Sequence, residues 1–315
     1  MNQNRQHLLT RGMAWACLTL ACTLTAHAAP PETPATAQKH QLAFKFAPGQ
    51  KVTYQITQDS RITSQQSTAK QVAINQTKVQ RTFRVLELDA EGRAKVEVQL
   101  DRVWMSAGFE DEEGTQGDPV VFDSADPAKS GNPKFKHVLD SVGKPQALMV
   151  VDATGRLHEA RRLAAGGEGA GEASDRSRND NLLFSLPAAP VAVGETWKET
   201  FDVLARNEES LTVKVKMQTT YTLEGVEEGV ATIAYRTVVL SPVEQPVVAA
   251  QLIQREMEGK ILFDLEAGQI AERNARMDRT VVGGLGPQSS LRATGQYREV
   301  RATAKEAARE SAAVR

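Results

Sequence analysis

Leu211-Thr-Val213-Lys-Val215-Lys-Met217-Gln-Thr219-Thr-Tyr221-Thr-Leu223 decides the fold. Leu211, Val213, Val215, Met217, Thr219, Tyr221 and Leu223 alternate with Thr212, Lys214, Lys216, Gln218, Thr220 and Thr222, so a period of two puts the first set on one face of a β-strand. At about 3.3 Å per residue such a strand runs roughly 43 Å, twice the usual length. One apolar and one polar face is the pattern of an antiparallel sheet with one side in water.

Working outward, Ala94, Val96, Val98 and Leu100 form a second stripe. Its phase slips to Val103 and Met105, which predicts a bulge near Asp101-Arg102. Leu42, Phe44 and Phe46 alternate, and Pro48-Gly49 turns the chain into Val52-Thr-Tyr54-Gln-Ile56. Residues 55–80 carry Gln, Thr, Ser and Lys on both faces and read as a hairpin or a sheet edge. Helix is scarce. One is expected over residues 133–142, with Asn132 as N-cap, Phe135, Val138, Leu139 and Val142 on one face, and Gly143 as the stop; a second short one is expected over 157–165. The fold expected is therefore mainly β: a large antiparallel curved sheet, open barrel or sandwich, with one or two short helices.

The two halves share an ordered set of marks. Gly49-Gln-Lys-Val returns as Gly194-Glu-Thr-Trp, the turn at Gly92 as the turn at Gly229, and Val151-Asp152-Ala-Thr-Gly155 as Phe263-Asp264-Leu-Glu-Ala-Gly268. Either glycine turns simply recur, as in any β protein, or two related half-sheets face or continue one another.

Residues 1–28 read as an export signal: Arg5 and Arg11, an apolar run from Met13 to about Leu24, and Ala26-His27-Ala28 as a cleavage site. The compartment expected is periplasmic or extracellular. A lipidated start at Cys22 is disfavoured because Thr19 stands where a lipobox wants leucine. Both cysteines, Cys17 and Cys22, fall inside the signal, so the expected mature chain has no disulfide, thiolate nucleophile or cysteine-bound metal. It carries 36 basic against 39 acidic residues, which gives no nucleic-acid surface, and no further apolar run reaches transmembrane length. The organisation expected is a disordered spacer over 29–41, an N-terminal β half over 42–165, a polar linker over 166–181, a C-terminal β half over 182–300 and a polar tail over 301–315.

Three stretches carry a resemblance: Phe46-Ala-Pro-Gly-Gln-Lys-Val-Thr-Tyr54, Leu186-Pro-Ala-Ala-Pro-Val-Ala-Val-Gly-Glu-Thr-Trp197 and Gly259-Lys-Ile-Leu-Phe-Asp-Leu-Glu-Ala-Gly268. Together they resemble an uncharacterised family of exported bacterial β proteins, a domain of unknown function. The resemblance implies an extracytoplasmic β protein and brings no activity or site residues.

No centre of chemistry stands out. His40, His137 and His158 are scattered, and none has a His, Asp or Glu at four-residue helical spacing. There is no G-x-S-x-G elbow, and the glycines at 166–171 lack the Lys-Ser/Thr of a phosphate loop. The acidic run at 110–113, with Asp118, Asp123 and Asp126, departs from the order of an EF-hand. No catalytic, cofactor-binding or metal-binding residue is nominated, and no cofactor is expected. The function expected is a non-catalytic binding protein of the bacterial envelope that holds a lipid or other hydrophobic ligand on a concave sheet. Leu211, Val213, Val215, Met217, Tyr221 and Leu223 form the candidate ligand-facing stripe. The alternatives are a structural or protein-interaction module that meets an envelope protein, and, third, a hydrolase.

Overall fold

The structure is a computed structural model, and it describes residues 38–110, 114–130, 133–163 and 183–303. The signal, the linker and most of the spacer and tail expected from the sequence lie outside these residues. In the first half the strands are β1 (Lys39–His40), β2 (Lys51–Gln66), β3 (Ala69–Leu88), β4 (Ala94–Glu110), β5 (Val120–Asp123), β6 (Pro145–Val151) and β7 (Leu157–Arg162). In the second half they are β8 (Val191–Ala192), β9 (Thr196–Arg206), β10 (Thr212–Glu227), β11 (Val230–Val239), β12 (Glu258–Asp264), β13 (Gln269–Val282) and β14 (Ser289–Arg301). Short helices α1 (Pro127–Ser130) and α2 (Lys136–Ser141) precede β6, and α3 (Pro246–Leu252) precedes β12.

Twelve strands make one open antiparallel sheet in the order β7-β6-β4-β3-β2-β14-β13-β12-β11-β10-β9, with β5 paired to the far part of β4. The chain enters mid-sheet at β2 and walks to one edge, then resumes at the other edge and walks back until β14 lies beside β2. The decisive alternation forms β10, whose Val215, Met217, Tyr221 and Leu223 are buried while Lys214, Lys216 and Glu224 face water. The expected slip in β4 is a bulge at Asp101: Gln80 pairs with Arg102 and Arg81 with Leu100. Gly155 makes the β6–β7 turn at φ +79°, a region that favours glycine, and a Cβ there would strike the Phe184 carbonyl.

Three expectations need correction, and one pair of alternatives narrows to a single reading. Residues 157–162 form β7, not a helix. Asp152 Oδ1 accepts from the backbone N–H of Thr154 and Arg156, closing a turn that lays Leu157 beside Val151, and pairing with β6 outweighs helix propensity. Of the two readings of residues 55–80 the hairpin holds and the edge does not, because β14 pairs with β2 from Tyr54 to Gln66. The spacer ends early, since Lys39 and His40 already pair with Ala192 and Val191. The helix expected at 133–142 is a 3-10 turn, Pro133–Phe135, followed by α2, and Leu139 is exposed rather than packed.

Both halves run through the same sequence of elements: a short strand, a glycine turn, three long strands, a helical excursion and a hairpin. On that order β2, β3, β4, β6 and β7 correspond to β9, β10, β11, β12 and β13. The half-sheets continue one another rather than face as separate layers. A strap, residues 41–47, ties them at one end: the Phe44 N–H donates to Ala153 O beside β7, and the Lys45 N–H donates to Gly268 O in the β12–β13 turn. Phe44 rings meet Phe184 at 5.6 Å and Phe263 at 5.3 Å, edge on. The core here joins Val96, Met149 and Val151 from one wing to Leu223, Ile233 and Phe263 from the other, so the sheet curls around its own concave face.

Candidate functional site

Above that core the concave face holds a cavity of about 800 Å³. One wall comes from β6, the β6–β7 turn and Leu157; the opposite wall comes from β9, β10 and β11; Leu183–Leu186 and the chain after α3 contribute the remainder. The lining changes character with height. Met149, Val151, Leu186, Phe184 and Ile261 make a mainly apolar floor that Arg273 reaches from the row of Ile261, while Glu199, Thr219, Tyr221, Tyr235 and Thr237 make a polar shelf.

Strand register explains the shelf. Trp197, Tyr221, Tyr235, Gly259, Ala275 and Tyr297 lie in one transverse row across β9 to β14. Trp197 stacks on Tyr221 at 5.5 Å, and Tyr221 meets Tyr235 at 6.2 Å. Gly259 is required beside Tyr235, because a Cβ there would run into the Asn274 carbonyl, to which the Tyr235 hydroxyl donates at 3.2 Å. The Tyr221 hydroxyl donates to Glu199 Oε2 at 3.1 Å, and the Thr219 and Thr237 hydroxyls share a 2.8 Å hydrogen bond.

The next row down is Leu223, Ile233, Ile261, Arg273, Glu299, Ile56 and Val79, an ion pair set among aliphatic side chains. Arg273 Nη2 stands 2.6 Å from the Glu299 carboxylate and donates to the Tyr297 hydroxyl at 2.9 Å. Glu299 is fully buried. Burial works against the Arg273 charge, but Glu299, Tyr297 and Tyr235 more than offset it and raise its pKa. All four tyrosines of the chain gather on this face, and each is harder to ionise than in water. Burial is the main cause throughout; Glu299 adds to it at Tyr54 and Glu199 at Tyr221, and Tyr235 is pushed up to about 12.

The candidate stripe is divided by its neighbours. Val215 and Met217 pack under Val248 and Leu252 of α3, Leu223 lies in the lower core, and Val213 is partly buried at the edge of the α3 cluster. Leu211 precedes β10 and is 63% exposed. Tyr221 lines the cavity. The rest of the shelf was not singled out in the sequence. Nor was the ion pair, because a bulge between Leu262 and Phe263 in the β12–β13 pairing decides which way Arg273 points.

Elsewhere the chemistry is structural. His137 is exposed, and His158 Nε2 stands 2.8 Å from Asp152 Oδ2. Burial raises the Asp152 carboxyl, but hydrogen bonds from Thr154, His158 and Arg156 bring it below its ordinary value. Asp123 pairs with Arg102, Asp126 with Lys129, and Glu110 with Arg61. Among the described residues no group of His, Cys, Asp or Glu could hold a metal ion. Among them, too, no helix is long and apolar enough to cross a membrane.

The profile of a family of unknown function, DUF6263, matches residues 168–270, about a third of the chain. No curated protein matches. Among solved structures, one described as lipid-protein interactions in lipovitellin is similar at 12% sequence identity and a TM-score of 0.47, over 82% of this chain and 26% of that one. The chain thus spans about a quarter of the length of that structure.

Proposed function

We propose that the protein is an exported carrier that takes one amphipathic, lipid-like molecule into the concave cavity. The carrying observation is the cavity itself: about 800 Å³, within the range of small-molecule sites, with an apolar floor and a hydroxyl-rich shelf. Met149, Val151, Phe184 and Ile261 offer the surface that desolvates a hydrocarbon portion. Glu199, Thr219 and Thr237 offer hydrogen bonds to a polar end, and that end occupies the shelf so that no polar group is stranded on the floor. Export rests on the pattern in residues 1–28, and a mature amino terminus at Ala29 in protein recovered from outside the cytoplasm is the expected result.

Native mass spectrometry of protein purified from its own host should show a co-purifying lipid-sized mass. Dansyl-labelled undecanoic acid should then bind and be displaced by that molecule. Thr219→Trp projects into the cavity, whereas Thr220→Trp projects from the opposite face of β10. The first should weaken probe binding by about tenfold or more and the second should leave it within about twofold, the usual consequence of removing the space rather than the fold. An apo mass with no probe binding, or equal effects of the two substitutions, ends this reading.

A further inference from the structure

We infer that the polar end of the carried molecule is a primary or secondary ammonium group, received by Glu199. This rests on the carrier reading and names the class of ligand. It stands on the donors and acceptors that the shelf presents.

Glu199 pairs with Thr219 across β9 and β10, and Thr219 pairs with Thr237 of β11, so the three share one transverse row beside that of Tyr221 and Tyr235. On β9, Trp197, Phe201 and Val203 turn to the same concave side as Glu199, while Lys198, Thr200 and Leu204 turn outward. Period-two patterning reserves the inner side for apolar residues, and position 199 breaks it with a carboxylate at the cavity wall.

Most of the shelf's protons are already committed. Tyr221 donates its hydroxyl proton to Glu199 Oε2, Tyr235 donates its own to Asn274 O, and Thr219 and Thr237 share one between them. Four hydroxyls thus hold three protons in place and leave one for a ligand. Their lone pairs remain, and among the described residues nothing donates to Glu199 Oε1. The surface is rich in acceptors and poor in donors.

The charges of the lining agree. Among the described residues that line the cavity Glu199 is the one carboxylate, and no lysine or arginine pairs with it. Arg273 is matched by Glu299 in the row below, Arg255 has a contact of its own, and Arg156 is exposed on the β6–β7 turn of the opposite wall. An ammonium donates its N–H groups to Oε1 and to the hydroxyl oxygens while its charge meets the carboxylate. An anionic head on the shelf would face Glu199 with a single hydroxyl proton to receive it.

The test is displacement of N-phenyl-1-naphthylamine, an uncharged probe, from the full chain at neutral pH. Dodecylamine, dodecanol and dodecanoic acid compete below their micelle-forming concentrations, so that chain length is fixed and only the head varies. Dodecylamine should displace the probe at a concentration about tenfold or more below that of dodecanol, and dodecanoic acid should be the weakest. Glu199→Gln keeps an oxygen for the Tyr221 hydroxyl and removes the charge. It should bring dodecylamine to within about twofold of dodecanol and leave dodecanol within about twofold of its parent value. Glu224→Gln removes the same charge from the outer face of β10 and should leave the order of the three unaltered. Equal displacement by the three, dodecanoic acid ahead of dodecylamine, or a preference for the amine that survives Glu199→Gln overturns the inference and leaves the carrier reading standing. No probe binding and no displacement by any of the three ends the carrier reading, and the ammonium site with it.

Discussion

The two seams of the sheet make an instructive contrast. At one, β14 fills the space between β2 and β13 and brings a buried ion pair, Arg273–Glu299, into an aliphatic row. At the other, β7 and β9 border a cavity, and on the edge of β9 the Gln251 side chain imitates a peptide at Arg206. The filled seam is specified by a buried charge pair. A buried ion pair contributes little net stability when both partners are present, yet leaving one partner alone is costly. The filled seam is thus one that the loss of a single side chain can break.

The sharpest way to break the contrast is at Glu299. Glu299→Ala should cost about 3–5 kcal/mol in urea unfolding, because Arg273 loses its carboxylate in a buried row, while Arg273→Met with Glu299→Leu should recover most of that loss. Equal losses in the single and double variants would show that the strand, not the charge, holds the seam. Alkali should sharpen it next. Tyr235 has a folded value near 12 against 10.0 unfolded, so it binds its proton more tightly when folded. The stability this confers is complete below pH 10 and is lost as pH rises towards 12, a fall of roughly 3 kcal/mol that Tyr235→Phe should remove. Phenolate absorbance appearing near pH 10 in the folded protein would contradict the enclosed shelf. The smallest effect belongs to the β7–β9 seam: Gln251→Ala should cost about 1–2 kcal/mol and free the Arg206 amide to exchange, leaving the filled seam unaltered.

How much of this could be read beforehand depended on whether parity held. The run ending at Leu223 kept strict alternation, and its strand and buried face followed directly. The shift around Asp101 was visible because apolar residues flank it on both sides. Arg273 was not visible. Counting by twos from buried Ile270 sends position 273 to solvent; the extra residue Ala271 in the β12–β13 ladder reverses the phase and turns the arginine inward. Helix α3 was missed because its apolar residues, Val247, Val248 and Leu252, occupy only two turns and offer too little periodicity. The cavity lay beyond reach for another reason: its walls come from β6–β7 and from β9–β11, and only the pairing order brings those segments within sight of each other.

The placement of β14 beside β2 also governs synthesis. β2 is the first long strand to leave the ribosome, yet the partner for one of its edges is residues 289–301, produced about 220 residues later. Until then the backbone of Tyr54–Gln66 lacks its neighbour on that side. Its Gln, Ser and Thr side chains are what discourages unwanted pairing with other nascent chains during that interval.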